Sequence, residues 1–140
     1  MTNYTKFTDV QANSFVGAVT GNVTGDVAGA VTGGVKLPTQ VLAASGPITL
    51  KSGLVLLTKP DGAVAATLAA PTATVDDGKI LYIVSTTAQA HTITATTIGF
   101  NAADAAGDVA TLGAAIGNGL VVVAYQGEWY VLANTNATIA

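Results

Sequence analysis

Leu120-Val121-Val122-Val123-Ala124-Tyr125-Gln126-Gly127-Glu128-Trp129-Tyr130-Val131-Leu132 reads as two β-rich runs joined by a two-residue turn with Gly in its second position. Branched and aromatic side chains suit a pleated, half-buried surface, and the short Gly-containing link is the signature of a hairpin. Trp129 and Tyr130 are adjacent, so a strand points them to opposite faces; one belongs in the core and the other is exposed or at an interface. Upstream, Lys79–Ser85 and His91–Thr97 form a second candidate pair across Thr86-Thr87-Ala88-Gln89-Ala90, with Asp76-Asp77-Gly78 as the turn before it. Earlier runs at Val41–Ala44, Ile48–Leu50, Leu54–Thr58 and Val64–Leu68 are separated by Ser45-Gly46-Pro47, Lys51-Ser52-Gly53 and Lys59-Pro60-Asp61-Gly62. Turn signals every roughly 8–12 residues suggest an all-β fold, a small antiparallel sandwich or barrel over residues 38–140. The Ala-, Gly- and Asp-rich stretch Asn101–Gly119 reads as a long loop with one short strand near Val109–Leu112, a helix being the rival reading.

Ahead of this domain the texture changes. A four-residue repeat runs Gly17-Ala18-Val19-Thr20, Gly21-Asn22-Val23-Thr24, Gly25-Asp26-Val27-Ala28, Gly29-Ala30-Val31-Thr32 and Gly33-Gly34-Val35-Lys36. On an α-helix the valines would drift about 40° per repeat, and each Gly would cost up to about 1 kcal/mol relative to Ala. Four is instead two full strand periods, placing Gly and Val on one face and Thr with the variable residue on the other. One apolar side chain every roughly 13 Å cannot bury itself on a lone ribbon, so the repeat calls for copies of itself in a homo-oligomeric fibre or stalk. Pro38 ends it. The expected organisation is therefore a polar lead with isolated aromatics at 1–16, a repeat stalk at 17–37, and a β domain at 38–140.

Composition narrows the function. Five Lys, no Arg and eight scattered acids leave no basic cluster for phosphate or base edges, which argues against nucleic acid as a partner. The longest apolar runs, Leu54–Leu57 and Leu120–Tyr125, fall far below the roughly 20 residues of a helical membrane span, and no membrane partner is expected. The start lacks an apolar segment of the secretory type. Sequons occur at Asn3, Asn22 and Asn136, but without such a leader glycosylation is not expected. The absence of Cys excludes disulfides and thiolate metal sites.

No constellation points to catalysis. His91 is the single histidine, at the entrance to a Thr/Ile strand with no second His, Cys or neighbouring acid, and reads as structural. Asp76 and Asp77 could be offered as a glycosidase or Ca²⁺ pair, yet adjacent strand residues diverge and no acid recurs at EF-hand spacing; a turn is the plainer reading. Asp104 and Asp108 flank Ala-Ala-Gly and could meet a cation in a loop. The Gly repeat matches neither phosphate-loop pattern. The expectation is a non-enzyme with no cofactor and no metal.

The Val-Thr-Gly run at 19–33 resembles the fibrous stretches of head fibre and tail fibre proteins of tailed bacteriophages. Asp77-Gly78-Lys79-Ile80-Leu81, His91-Thr92-Ile93-Thr94 and Val123–Leu132 are similar to small domains found beside such stretches in phage virion proteins. The resemblance implies a homotrimeric capsid decoration or head fibre protein on the outer capsid surface, with the major capsid protein and its own copies as partners. In such a trimer Val19, Val23, Val27, Val31 and Val35 would face a common axis. Gly17, Gly21, Gly25, Gly29 and Gly33 would permit close backbone approach, and Thr20, Thr24 and Thr32 would face outward. Tyr4, Phe7 and Phe15 would anchor residues 1–16 in capsid pockets, although the 38–140 domain could bind the capsid instead. The runner-up is a receptor- or carbohydrate-binding fibre component with Trp129, Tyr130 and Tyr125 as stacking residues.

Overall fold

In a computed structural model, residues 34–97, 99–101 and 108–140 are described, and every regular element among them is a β-strand. In chain order these are β1 (Thr39–Leu42), β2 (Gly46–Ile48), β3 (Gly53–Leu57), β4 (Ala65–Leu68), β5 (Ile80–Ser85), β6 (Thr92–Ala95), β7 (Val109–Leu112), β8 (Gly119–Tyr125), β9 (Glu128–Thr135) and β10 (Ala137–Ile139). They form two five-stranded sheets, β1-β3-β5-β8-β9 and β10-β7-β6-β4-β2. The all-β expectation holds.

The antiparallel expectation does not. The first six strands alternate between the sheets, so β1, β3 and β5 run parallel in the first sheet while β2, β4 and β6 run parallel in the second. The chain thus coils upward through both layers before an antiparallel closure, in which β8 and β9 complete the first sheet and β7 and β10 the second. Lys79–Ser85 and His91–Thr97 do contain strands, but these lie in opposite sheets and are not a pair. The reason is visible at the corners. Thr86 N–H donates to Leu57 O at 2.9 Å, as Thr58 N–H does to Leu42 O at 2.9 Å. The Thr87 hydroxyl and the Gln89 amide donate to Lys59 O (2.9 Å) and Pro60 O (2.8 Å). Each link therefore stacks on the link of the previous coil and carries the chain across to the other layer.

Inward residues follow the strand period. Val55, Leu57, Leu81, Ile83, Leu120 and Val122 from the first sheet meet Ile48, Ala66, Leu68, Ile93, Ala110 and Leu112 from the second in one core, joined by Phe100 and Trp129. At the β1/β2 end, Gln40 turns its amide inward, donating to Pro47 O (2.9 Å) and accepting from Thr49 N–H (2.9 Å). Pro47 removes an edge donor there, which blunts further pairing. Gly53 is required by geometry: its φ is +127°, and a Cβ would run into the Pro38 carbonyl oxygen. The Gln126-Gly127 turn has φ of 50° and 86°, the positive pair that a two-residue hairpin uses. Leu132 is the extra residue of a bulge opposite Val121/Val122, after which β9 continues to an Asn134 side chain that bonds Ala137 N–H and O at 2.7 Å each. That turn sends the chain over to β10.

Candidate functional site

The ionisable groups singled out from sequence are committed to the fold. His91 is fully buried at the corner before β6. Its Nδ1 accepts from Val64 N–H at 2.8 Å, which leaves the proton on Nε2 to be donated to the Thr87 hydroxyl at 2.9 Å. Burial, with a smaller contribution from the Lys59 charge, holds the imidazole below its ordinary pKa, so the ring is neutral in this relay.

Asp76 is buried and accepts from Lys79 Nζ and Thr72 N–H at 2.7 Å each. The Lys79 bond, then the Thr72 bond, hold its carboxyl below the usual range. Asp77 points elsewhere: it accepts from Thr74 N–H (3.1 Å), Gln126 N–H (2.7 Å) and the Gln126 amide (2.7 Å). Asp77 thereby pins the β8–β9 hairpin to the loop before β5. The two acids serve separate turns and do not converge. Asp108 accepts from Phe100 N–H at 3.0 Å, while Asp104 lies outside the described residues. Among the described residues no three His, Asp or Glu side chains gather to hold a metal ion.

The hairpin aromatics separate as neighbours on a strand must. Trp129 is 1% exposed and its Nε1–H donates to Ala69 O at 3.0 Å. Its ring presents no free face, so its place as a stacking residue is corrected to the core. Tyr125 and Tyr130 lie outward on the first sheet, with ring centroids 6.3 Å apart at 57°. The Tyr130 hydroxyl donates to Glu128 Oε2 at 3.1 Å, and desolvation followed by this bond raises its pKa. Of the proposed axial residues only Val35 is described, and it is 73% exposed. Val19, Val23, Val27 and Val31, the five glycines from Gly17 to Gly33, and Tyr4, Phe7 and Phe15 lie outside the described residues.

These tyrosines end a larger feature. The outward registers of the first sheet read Thr39–Leu54–Tyr82–Val121–Ala133, Val41–Leu56–Val84–Gly119–Thr135 and Ile80–Val123–Tyr130. Those of the second read Pro47–Thr67–Thr94–Val109 and Ala65–Thr92–Thr111–Thr138. The first outer face is apolar across its three central strands, with Thr39 and Thr135 at its edges, and the second is mostly threonine, with Ala65 and Val109 among them. The signal in the sequence was the unbroken apolar run in β3, β5 and β8 against the alternation in β4, β6 and β7.

Compared with protein-family models the chain matches none, and comparison with curated proteins returns no match.

Proposed function

We propose that this chain is a structural protein of a tailed-phage virion, a homotrimer that binds the outer surface of the capsid and projects from it. The observation that carries the reading is the Gly-x-Val-Thr repeat of residues 17–36, whose regular valines have no use in a lone strand. The domain that follows supports it. His91, Asp76, Asp77 and Asp108 spend their hydrogen-bonding capacity on corners and turns, as suits a scaffold. Residues 1–16, with Tyr4, Phe7 and Phe15, are the proposed anchor to the major capsid protein, ahead of the stalk as an anchor should be.

Counting copies of the chain on purified virions tests this. Many copies spread over the head are expected, and absence from particles overturns the reading. Deleting residues 1–14 should abolish decoration of empty heads; unchanged occupancy would move the anchor to the domain. A second reading, a receptor- or carbohydrate-binding fibre component, is favoured by one observation: exposed Tyr125 beside half-buried Tyr130 at the hairpin end. A few copies confined to the tail would select it.

A further inference from the structure

We infer that the outward face of the β1-β3-β5-β8-β9 sheet is the surface through which the domains of this homotrimer pack against one another. The inference rests on the homotrimer reading and adds the surface. Strands that are apolar on both faces are the pattern of a sheet covered on both sides, whereas alternation marks a sheet with one wet side. Here the two patterns occur in one domain. In β3 every residue after Gly53 is Leu or Val, and β5 opens Ile-Leu-Tyr-Ile-Val. Opposite them, β6 puts Thr at both outward positions, and β4 and β7 each put out one Thr beside Ala65 or Val109.

The chemistry of the face selects its occupant. No Lys or Asp stands in its registers, and Glu128 at the hairpin end already accepts from Tyr130. A charged partner would find no counter-charge. A pleated apolar surface of the same width fits, and another copy of this chain carries one.

Area decides how the copies are held. Five strands at about 4.8 Å spacing span about 24 Å, and four residues at about 3.3 Å run about 13 Å, a footprint of roughly 300 Å² that grows toward about 500 Å² along the longer β8 and β9. Two such faces stay below the about 1,200 Å² at which stable interfaces begin. The face alone would give a weak pair. Joined in sequence to the repeat through Leu37-Pro38, it becomes a contact between copies already tethered, where effective concentration replaces area.

The full chain contains no Cys, so single cysteines report cleanly. Tyr82→Cys and Val84→Cys probe the apolar face. Thr67→Cys and Thr94→Cys probe the threonine face, and the two pairs match in exposure, each with one exposed and one half-buried position. Thiol labelling is read beside mass by light scattering, with emission of the core residue Trp129 verifying that each variant is folded. The expected result is an oligomer in which positions 82 and 84 label at least about tenfold more slowly than 67 and 94 and cross-link between copies with a short bis-maleimide. An oligomer whose four positions label alike overturns this surface and leaves the homotrimer standing. A monomer whose positions all label alike overturns both. A monomer protected at 82 and 84 places another segment of the same chain on the face and also overturns the inference.

Discussion

The outer faces of the two sheets are built on the same backbone period, flank the same core, and differ in nearly every side chain. Inward positions of both are mostly Val, Leu, Ile and Ala, with Trp129 on β9, because a layer about 10 Å thick between stacked sheets has to be filled with apolar volume whichever strand supplies it. Outward positions carry no such demand. Threonine on the second sheet satisfies β-propensity while leaving a hydroxyl to water. The Leu, Val and Tyr of the first sheet satisfy the same propensity and leave apolar surface bare. The outward half of a strand therefore reports its surroundings, and the inward half reports only that a core exists.

The largest expected effect tests that division at two adjacent residues. Trp129→Ala should cost about 3–5 kcal/mol, since it empties a buried site in a core that cannot close over it. Tyr130→Phe, one residue on and outward, should change stability by no more than about 0.5 kcal/mol. Urea unfolding followed by circular dichroism at one protein concentration compares them. Equal costs would break the in/out distinction.

Next in size is Gly53→Ala, where the positive φ and the Pro38 carbonyl both oppose a Cβ. A loss of more than about 1 kcal/mol is expected from unfolding midpoints, and it would show how tightly β1 is seated on β3. A neutral result would mean that β1 can separate from the sheet at little cost.

The corner between the sheets should respond to acid. His91 has a folded-state pKa below the ordinary 6.5, so protons bind the unfolded chain better. Its contribution is fully present above pH 6.5 and is lost as pH falls from there through the folded pKa, with a slope of at most about 1.4 kcal/mol per pH unit. Asp76, also held below its ordinary 3.8, acts in a lower window: its contribution is present above pH 3.8 and disappears below it. Unfolding midpoints against pH for the wild type and for His91→Gln separate the two, and the variant should lose only the upper step.

The smallest effects return to the outer faces. Thr67→Lys should leave stability within about 0.5 kcal/mol and leave assembly unchanged. Tyr82→Lys, as exposed in the single chain, should leave circular dichroism unchanged while lowering the mass or compactness of the assembly. If the two substitutions behave alike, the faces differ in composition without consequence.

Much of the fold was legible from residues. The hairpin read at Leu120–Leu132, the short strand at Val109–Leu112 and the division of Trp129 from Tyr130 follow from local patterns, because period-two alternation and a Gly-containing turn are local physics. The parallel order was not legible. Thr86–Ala90 has the length of a hairpin link, and only its bonds to Leu57, Lys59 and Pro60 of the previous coil reveal that it turns a corner. The last strand, β10, is three residues of modest β character that exist because Asn134 turns the chain and β7 offers an edge. The apolar face was missed as a surface because β3, β5 and β8 join its registers from distant parts of the chain.

Local sequence pattern was enough to settle that the chain is β throughout its described part, where the Gln126-Gly127 turn falls, and that residues 17–36 repeat with a valine every fourth position. These depend on neighbours within a few residues, where backbone sterics and side-chain period act. Only the folded molecule fixes which strands beyond the β8–β9 hairpin share a sheet and in which direction they run, and which groups His91, Asp76 and Asp77 hold at their corners and turns. Apart from that hairpin, the first-sheet partners lie some fifteen to forty-three residues apart in the chain, and a strand's own alternation says which face is apolar without saying which neighbour will lie beside it.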